Sequence, residues 1–155
     1  MAFTGNFMCT SFKSELFNGY HNFSNANPAR SANQADTFKI ALYDSGASLT
    51  AATTVYANTN ELPTAGGYTQ TGVTLSGGAV ANNNPTGAVG YVDFTTDPSW
   101  TSATFTAYGA LVYNSSQAGK AVVVLDFGGA KTVSSGTFTV VFPAAAASTA
   151  LIRIA

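Results

Sequence analysis

Two tripeptides in this chain have the residue types of a catalytic centre. Asp126-Phe127-Gly128 is the triplet that holds magnesium under the ATP phosphates in protein kinases, and Asp44-Ser45-Gly46, within YDSGA (43–47), shares residues with the nucleophile loop of serine proteases. Neither finds its partners. Kinase chemistry also needs a Gly-rich phosphate loop, a strand lysine and a His-Arg-Asp tripeptide, and none is present in these 155 residues. A serine triad needs a histidine base, and His21 is the single histidine, set beside Tyr20 and Phe23 where a packing or surface role fits it. YDSGA also lacks the flanking glycines of a protease loop. Read as local structure, Leu125 and Phe127 end a buried strand, Asp126 faces solvent and Gly128-Gly129 opens a turn, while Asp-Ser-Gly is a hairpin turn after TFKIALY.

Other site chemistries are equally short of ligands. One Cys and one His exclude a structural zinc site. Asp93 and Asp97 flank a strand end, but no window alternates oxygen ligands with a turn glycine as calcium loops do. Glycosidase chemistry needs two carboxylates meeting in space, and Asp36, Asp44, Asp93, Asp97, Asp126, Glu15 and Glu61 are scattered along the chain. Trp100, in TDPSWTSATF, has two readings: a sugar-stacking platform, or a plug for one end of a β-core, which the sequence favours. The expectation is a protein without enzymatic activity, cofactor or metal.

Composition explains what such a chain is suited to. Charged residues are only 8% of the total, against 46% hydrophobic, so the chain can repay its ordering entropy while its surface is built from Thr, Ser, Asn, Gln and Ala. A net charge of −1 favours association with neighbouring proteins over free diffusion. Nucleic acid is excluded as a partner, because Lys13, Arg30, Lys39, Lys120, Lys131 and Arg153 form no basic cluster. No apolar run reaches membrane-spanning length. The opening MAFTGNFMCT has no signal-peptide pattern, and Cys9 is alone, so synthesis in a reducing host cytoplasm is expected.

The elements fall into two parts, residues 1–35 and 36–155. In FMCTSFKSELFNGYHNF, Met8, Phe12, Leu16 and Tyr20 recur at intervals of four, one stripe of a short helix, with Gly19 as its stop. SNANPARSANQAD (24–36) is a linker by composition. Phe17 and Phe23 lie off the helical stripe, so the segment is apolar on more than one side and needs a second surface to cover it. Phe3, Phe7, Met8, Phe12, Phe17, Tyr20 and Phe23 are therefore the expected partner-binding residues of an N-terminal arm; packing of the helix on its own core is the alternative. From Thr37 the period is two, with strands expected at 37–43, 52–56, 67–75, 88–94, 102–114, 120–127, 136–142 and 149–155. Gly-Gly pairs at 66–67, 77–78 and 128–129 mark breaks. The fold expected is all-β: a jelly-roll-like antiparallel β-sandwich of about eight strands with a short helical or extended arm.

Four stretches in order carry a family resemblance: ADTFKIALYDSGASLTAATTVY (35–56), TNELPTAGGYTQTGVTL (59–75), YVDFTTDPSWTSATFTAYGALVYN (91–114) and VVVLDFGGAKTVSSGTFTVVFP (122–143). Together they resemble a family of small virion structural proteins of tailed bacteriophages, some of which decorate or cement the icosahedral head. The resemblance implies no catalytic residue. It implies fold roles for Asn60, Glu61, Gly67, Tyr68, Trp100, Asp126, Phe127 and Gly128, with Glu61 capping backbone amides. It also implies a homo-oligomer, trimer or dimer, bound to the major capsid protein on the outer surface of the head. The alternative is a neck, tail or fibre component that binds other virion parts or a host glycan.

Overall fold

A computed structural model describes residues 3–24 and 34–155; most of the expected linker at 24–36 lies outside these. The chain folds as an all-β sandwich of two antiparallel sheets with a single α-helix among the described residues. The larger sheet has the order β1-β7-β6-β2-β3, from Phe7–Met8, Lys120–Thr139, Ser99–Asn114, Phe38–Tyr43 and Val73–Thr74. The smaller has the order β4-β5-β8, from Gly78–Asn82, Gly90–Phe94 and Ile152–Ile154. Jelly-roll connectivity does not follow from these orders.

Among the described residues eight strands form, close to the number expected, but they are a different eight. The runs at 120–127 and 136–142 are one strand, β7, which pairs with β6 from Asn114↔Lys120 out to Ser99↔Thr139. The turn expected at Gly128-Gly129 is instead a bulge inside that strand. Ala107 pairs with Lys131 and Gly109 with Asp126, so Tyr108 alone stands against Phe127, Gly128, Gly129 and Ala130. Positive φ at Gly128 and Gly129 (70° and 129°) lets the backbone make this excursion. The run at 52–56 contributes only the bridge Val55↔Lys120, and 67–75 shrinks to β3. β1 and β4 form where no strand was expected.

The core explains the pattern of β2. Phe38, Ile40 and Leu42 are buried, as alternation predicts, but so are Ala41 and Tyr43 on the opposite face. β2 is covered on both sides because the excursion 44–72 folds back over the sheet. Phe94 of β5 joins the two sheets, its ring centroid 5.8 Å from that of Phe38 and 6.1 Å from that of Phe142. Trp100 is 4% exposed and packs against Tyr68, Phe105 and Phe138. It is the core plug the sequence favoured, and its ring face is not open for stacking on a sugar.

Candidate functional site

The N-terminal segment is where the sequence placed partner binding. Helix α1 spans Thr10–Phe17 and is shorter than the four-residue stripe suggests: Met8 belongs to β1 and Tyr20 follows the stop. Gly19 (φ 68°) ends it, with Gly19 N–H donating to Leu16 O and Tyr20 N–H to Glu15 O, the paired bonds of a Schellman cap. β1 pairs with β7, Cys9 N–H donates to Val122 O and Thr10 N–H to Ala51 O. Residues 3–23 are therefore built into the domain and are not a separate arm.

This separates the seven candidates. Phe3, Phe12 and Phe23 are buried in the domain's own core, and Phe7 and Met8 are half-buried against it. Phe23 stacks on Phe38 with centroids 4.2 Å apart, and Phe12 is fully buried. The second apolar side of the segment is thus covered from within the same chain. Phe17 and Tyr20 point outward, Phe17 at 93% exposure. Of the seven, only these two are exposed.

Beneath α1 lies a buried polar cluster that no local pattern announces. His21 Nε2–H donates to Glu15 Oε2 (2.8 Å), and Lys120 Nζ donates to Glu15 Oε1 (2.7 Å) while sitting over the Tyr20 ring. Asn114 Nδ2 donates to His21 Nδ1 (3.0 Å) and to Asp36 Oδ2 (2.9 Å). Burial holds the His21 imidazole below its ordinary pKa although Glu15 and Asp36 pull the other way. For Glu15, burial opposes ionisation, but the hydrogen bonds from Lys120 and His21 outweigh it and keep the carboxyl below its usual range. Burial, then the Glu15 charge, pushes the nearby Cys9 thiol up to about 11, so it is no nucleophile near neutral pH. His21 has both ring nitrogens occupied, and no hydroxyl or thiol takes its proton. The sequence signal for this cluster is absent because its members meet across as many as 105 positions.

A second cluster centres on Glu61, 5% exposed. Glu61 Oε1 accepts from Tyr68 OH (2.7 Å) and Thr71 N–H (2.7 Å), and Oε2 accepts from Tyr56 OH (2.5 Å). Glu61 therefore caps a backbone amide, as the sequence suggested, and gathers two phenols besides. Tyr68 OH in turn accepts from Leu42 N–H (3.0 Å), while Leu62 N–H donates to Leu42 O. These bonds satisfy the edge of β2 beyond the short β3, where a strand partner is missing. Tyr43 and Tyr113 donate to the Ala57 and Thr71 carbonyls. Burial first, and then the Glu61 carboxylate, raise the Tyr68 and Tyr56 hydroxyls far above the ordinary phenol value. Tyr113 rises to about 12 for the same two reasons. All stay neutral donors at physiological pH.

The two catalytic-looking tripeptides turn out to be the same small structure. Asp44 Oδ1 accepts from Gly46 N–H (2.7 Å) and Asp126 Oδ1 from Gly128 N–H (2.8 Å), two Asx turns. Asp93 accepts from Phe94 and Leu151 N–H, and Asp97 from Phe142 N–H, each tying neighbouring segments together. With Glu15, Asp36 and Glu61, every one of the seven carboxylates accepts a hydrogen bond inside the fold. Among the described residues, no three His, Cys, Asp or Glu are grouped to hold a metal ion.

Several large apolar side chains face outward among few charged ones, Lys13, Asp97, Lys131 and Arg153. Besides Phe17 and Tyr20, Val80, Val141, Val55 and Ile154 are exposed. An open groove of about 610 Å³ runs between Phe12, Leu16 and His21 on one wall and Val80, Val92 and Ile152 on the other. No helix among the described residues is long and apolar enough to cross a membrane. Comparison with family models, with curated proteins and with solved structures finds no match.

Proposed function

We propose that this chain is a structural protein of a tailed-phage virion, a decoration protein that binds the assembled head and cements it. Two lines support the reading: the ordered motifs over 35–143, and the use the fold makes of its polar groups. The observation that carries it is the second. All seven carboxylates are tied into the fold as acceptors, and no nucleophile stands beside the histidine. The surface left over is a weakly charged face of Thr, Ser, Ala and Asn, carrying isolated large apolar side chains such as Phe17 and Val141. Such a surface suits permanent packing against a protein lattice, with an exposed aromatic as anchor. On this reading the partner is the major capsid protein and the mechanism is linkage: a ligand that binds the assembled shell and not its free subunits stabilises the shell by mass action.

The test is to mix the purified protein with heads that lack it and measure copies bound per particle and the temperature at which the heads open. Binding in hundreds of copies with a raised opening temperature is the expected result. Recovery of a few copies at one vertex would replace the decoration reading with that of a neck, tail or fibre component. Hydrolytic or transferase activity of the folded protein would overturn the structural reading altogether.

A further inference from the structure

We propose that His21 is an acid-sensitive latch, whose protonation releases α1 and residues 20–23 from the sandwich while the sheets stay folded. The geometry fixes the protonation state the closed form requires. The backbone N–H of Ser116 can only donate, so the Asn114 atom it meets (3.1 Å) must be the carbonyl Oδ1. That orients the amide with Nδ2 toward His21 Nδ1 and Asp36 Oδ2. His21 Nδ1 therefore accepts a hydrogen bond, and Nε2–H donates to Glu15. A proton added at Nδ1 would face an N–H donor. Turning the amide to meet it would break the bond to Ser116 N–H, which caps the 3₁₀ turn Ser115–Gln117, and the bond to Asp36. The ring is held in place by packing: its side chain is fully buried against Phe12 (centroids 4.8 Å apart), Phe23 and Phe38.

Every charged or titratable group facing the ring has a place in this account. Glu15 on α1 and Asp36 ahead of β2 attract the imidazolium, Lys120 on β7 repels it, and burial outweighs their sum in keeping it neutral. Cys9, with its thiol near 11, takes no part below neutral pH. The released state exposes the ring, which then protonates at the ordinary value of 6.5. Because the folded value lies below the released one, opening gains a proton as pH falls below 6.5, and closing is favoured above it. Glu15 is depressed too, so its contribution is lost only below its ordinary 4.5. The interval between 6.5 and 4.5 belongs to His21 alone among the resolved shifts.

The test uses the full chain. Amide hydrogen exchange of residues 14–20, corrected for the intrinsic pH dependence of exchange, is compared with that of β2 and β6 from pH 7.5 to 5. In the wild type, protection of the α1 amides should fall by up to about tenfold per pH unit below 6.5 while that of β2 and β6 holds. His21→Gln, which keeps a donor for Glu15 and an acceptor for Asn114 without titrating, should abolish the pH dependence. A pH-independent wild type, or the same fall in the Gln variant, overturns the proposal. Should the variant fail to fold, the wild type decides alone: the sole histidine gives one imidazole NMR titration, and a midpoint at or above 6.5 in the closed protein overturns the latch.

Discussion

Replacing Glu61 with alanine should cost about 3–5 kcal/mol of folding stability, a large part of the roughly 5–15 kcal/mol available to a domain. The figure comes from the donors left behind. Tyr68 OH is buried and loses its only acceptor; Thr71 N–H is part-buried and loses its acceptor as well. Each orphaned buried donor costs about 1–3 kcal/mol. Tyr56 OH is nearer solvent and finds water, so it adds little. The loss spreads to β2, because Tyr68 OH is what Leu42 N–H donates to. Glu61→Gln is the control. It keeps one oxygen for Tyr68 and Thr71, and its amide can donate to a reoriented Tyr56 hydroxyl, so it should cost only about 1 kcal/mol. Urea unfolding monitored by circular dichroism and by Trp100 fluorescence gives both values, provided the slopes agree. An alanine variant within about 1 kcal/mol of wild type, or a glutamine variant equal to the alanine one, would refute the view of Glu61 as the group that closes this sheet edge.

Three further outcomes follow from the packing. Trp100→Ala should lose about 3–5 kcal/mol, with the wild-type emission blue-shifted and poorly quenched by acrylamide; free quenching would place the indole at the surface. Gly72→Ala should fail to accumulate as folded protein, since φ is +69° and a Cβ there would overlap the Ile40 carbonyl oxygen; thermal melting of any soluble product checks this. Phe17→Ser should leave the melting temperature within a degree or two, because the ring touches almost nothing, while reducing binding to heads in a co-sedimentation assay if the ring is an anchor.

The parts of the fold legible in the sequence are those whose large apolar residues recur at every second position, even where, as in β2, the opposite face is buried too. Alternation located β2, β5 and the inner half of β6 because Phe38, Ile40, Leu42 and Leu111 pack inward at every second position. It misread 52–56, where Tyr56 repeats the strand period but lies stacked on Tyr113, centroids 4.4 Å apart, and pairing goes no further than the single bridge Val55↔Lys120. It missed β4, because Gly-Ala-Val-Ala-Asn carries little hydrophobic contrast and its strand state comes from pairing with β5. The N-terminal segment was misjudged for a related reason. Counting apolar faces shows that two must be covered, but not that β7 covers one and Phe38 the other. Likewise Glu15, His21, Asp36 and Asn114 are unremarkable singly, and only the closed sandwich brings them together.

The tripeptides that resemble catalytic motifs make the same point from the opposite side. Asp-x-Gly is a sequence that chemistry and turn formation both select. A carboxylate can accept from the amide two residues on, and glycine can adopt the backbone that presents it. Here the seven acids are all engaged with amides, phenols, the histidine or a lysine of the fold. A carboxylate that holds a turn or a sheet edge has a structural use, so removing it costs the fold a hydrogen bond. The low surface charge and the polar interior are thus one property of this sequence. Three of its few charges, on Glu15, Glu61 and Asp93, are buried, where their hydrogen bonds specify which segments meet.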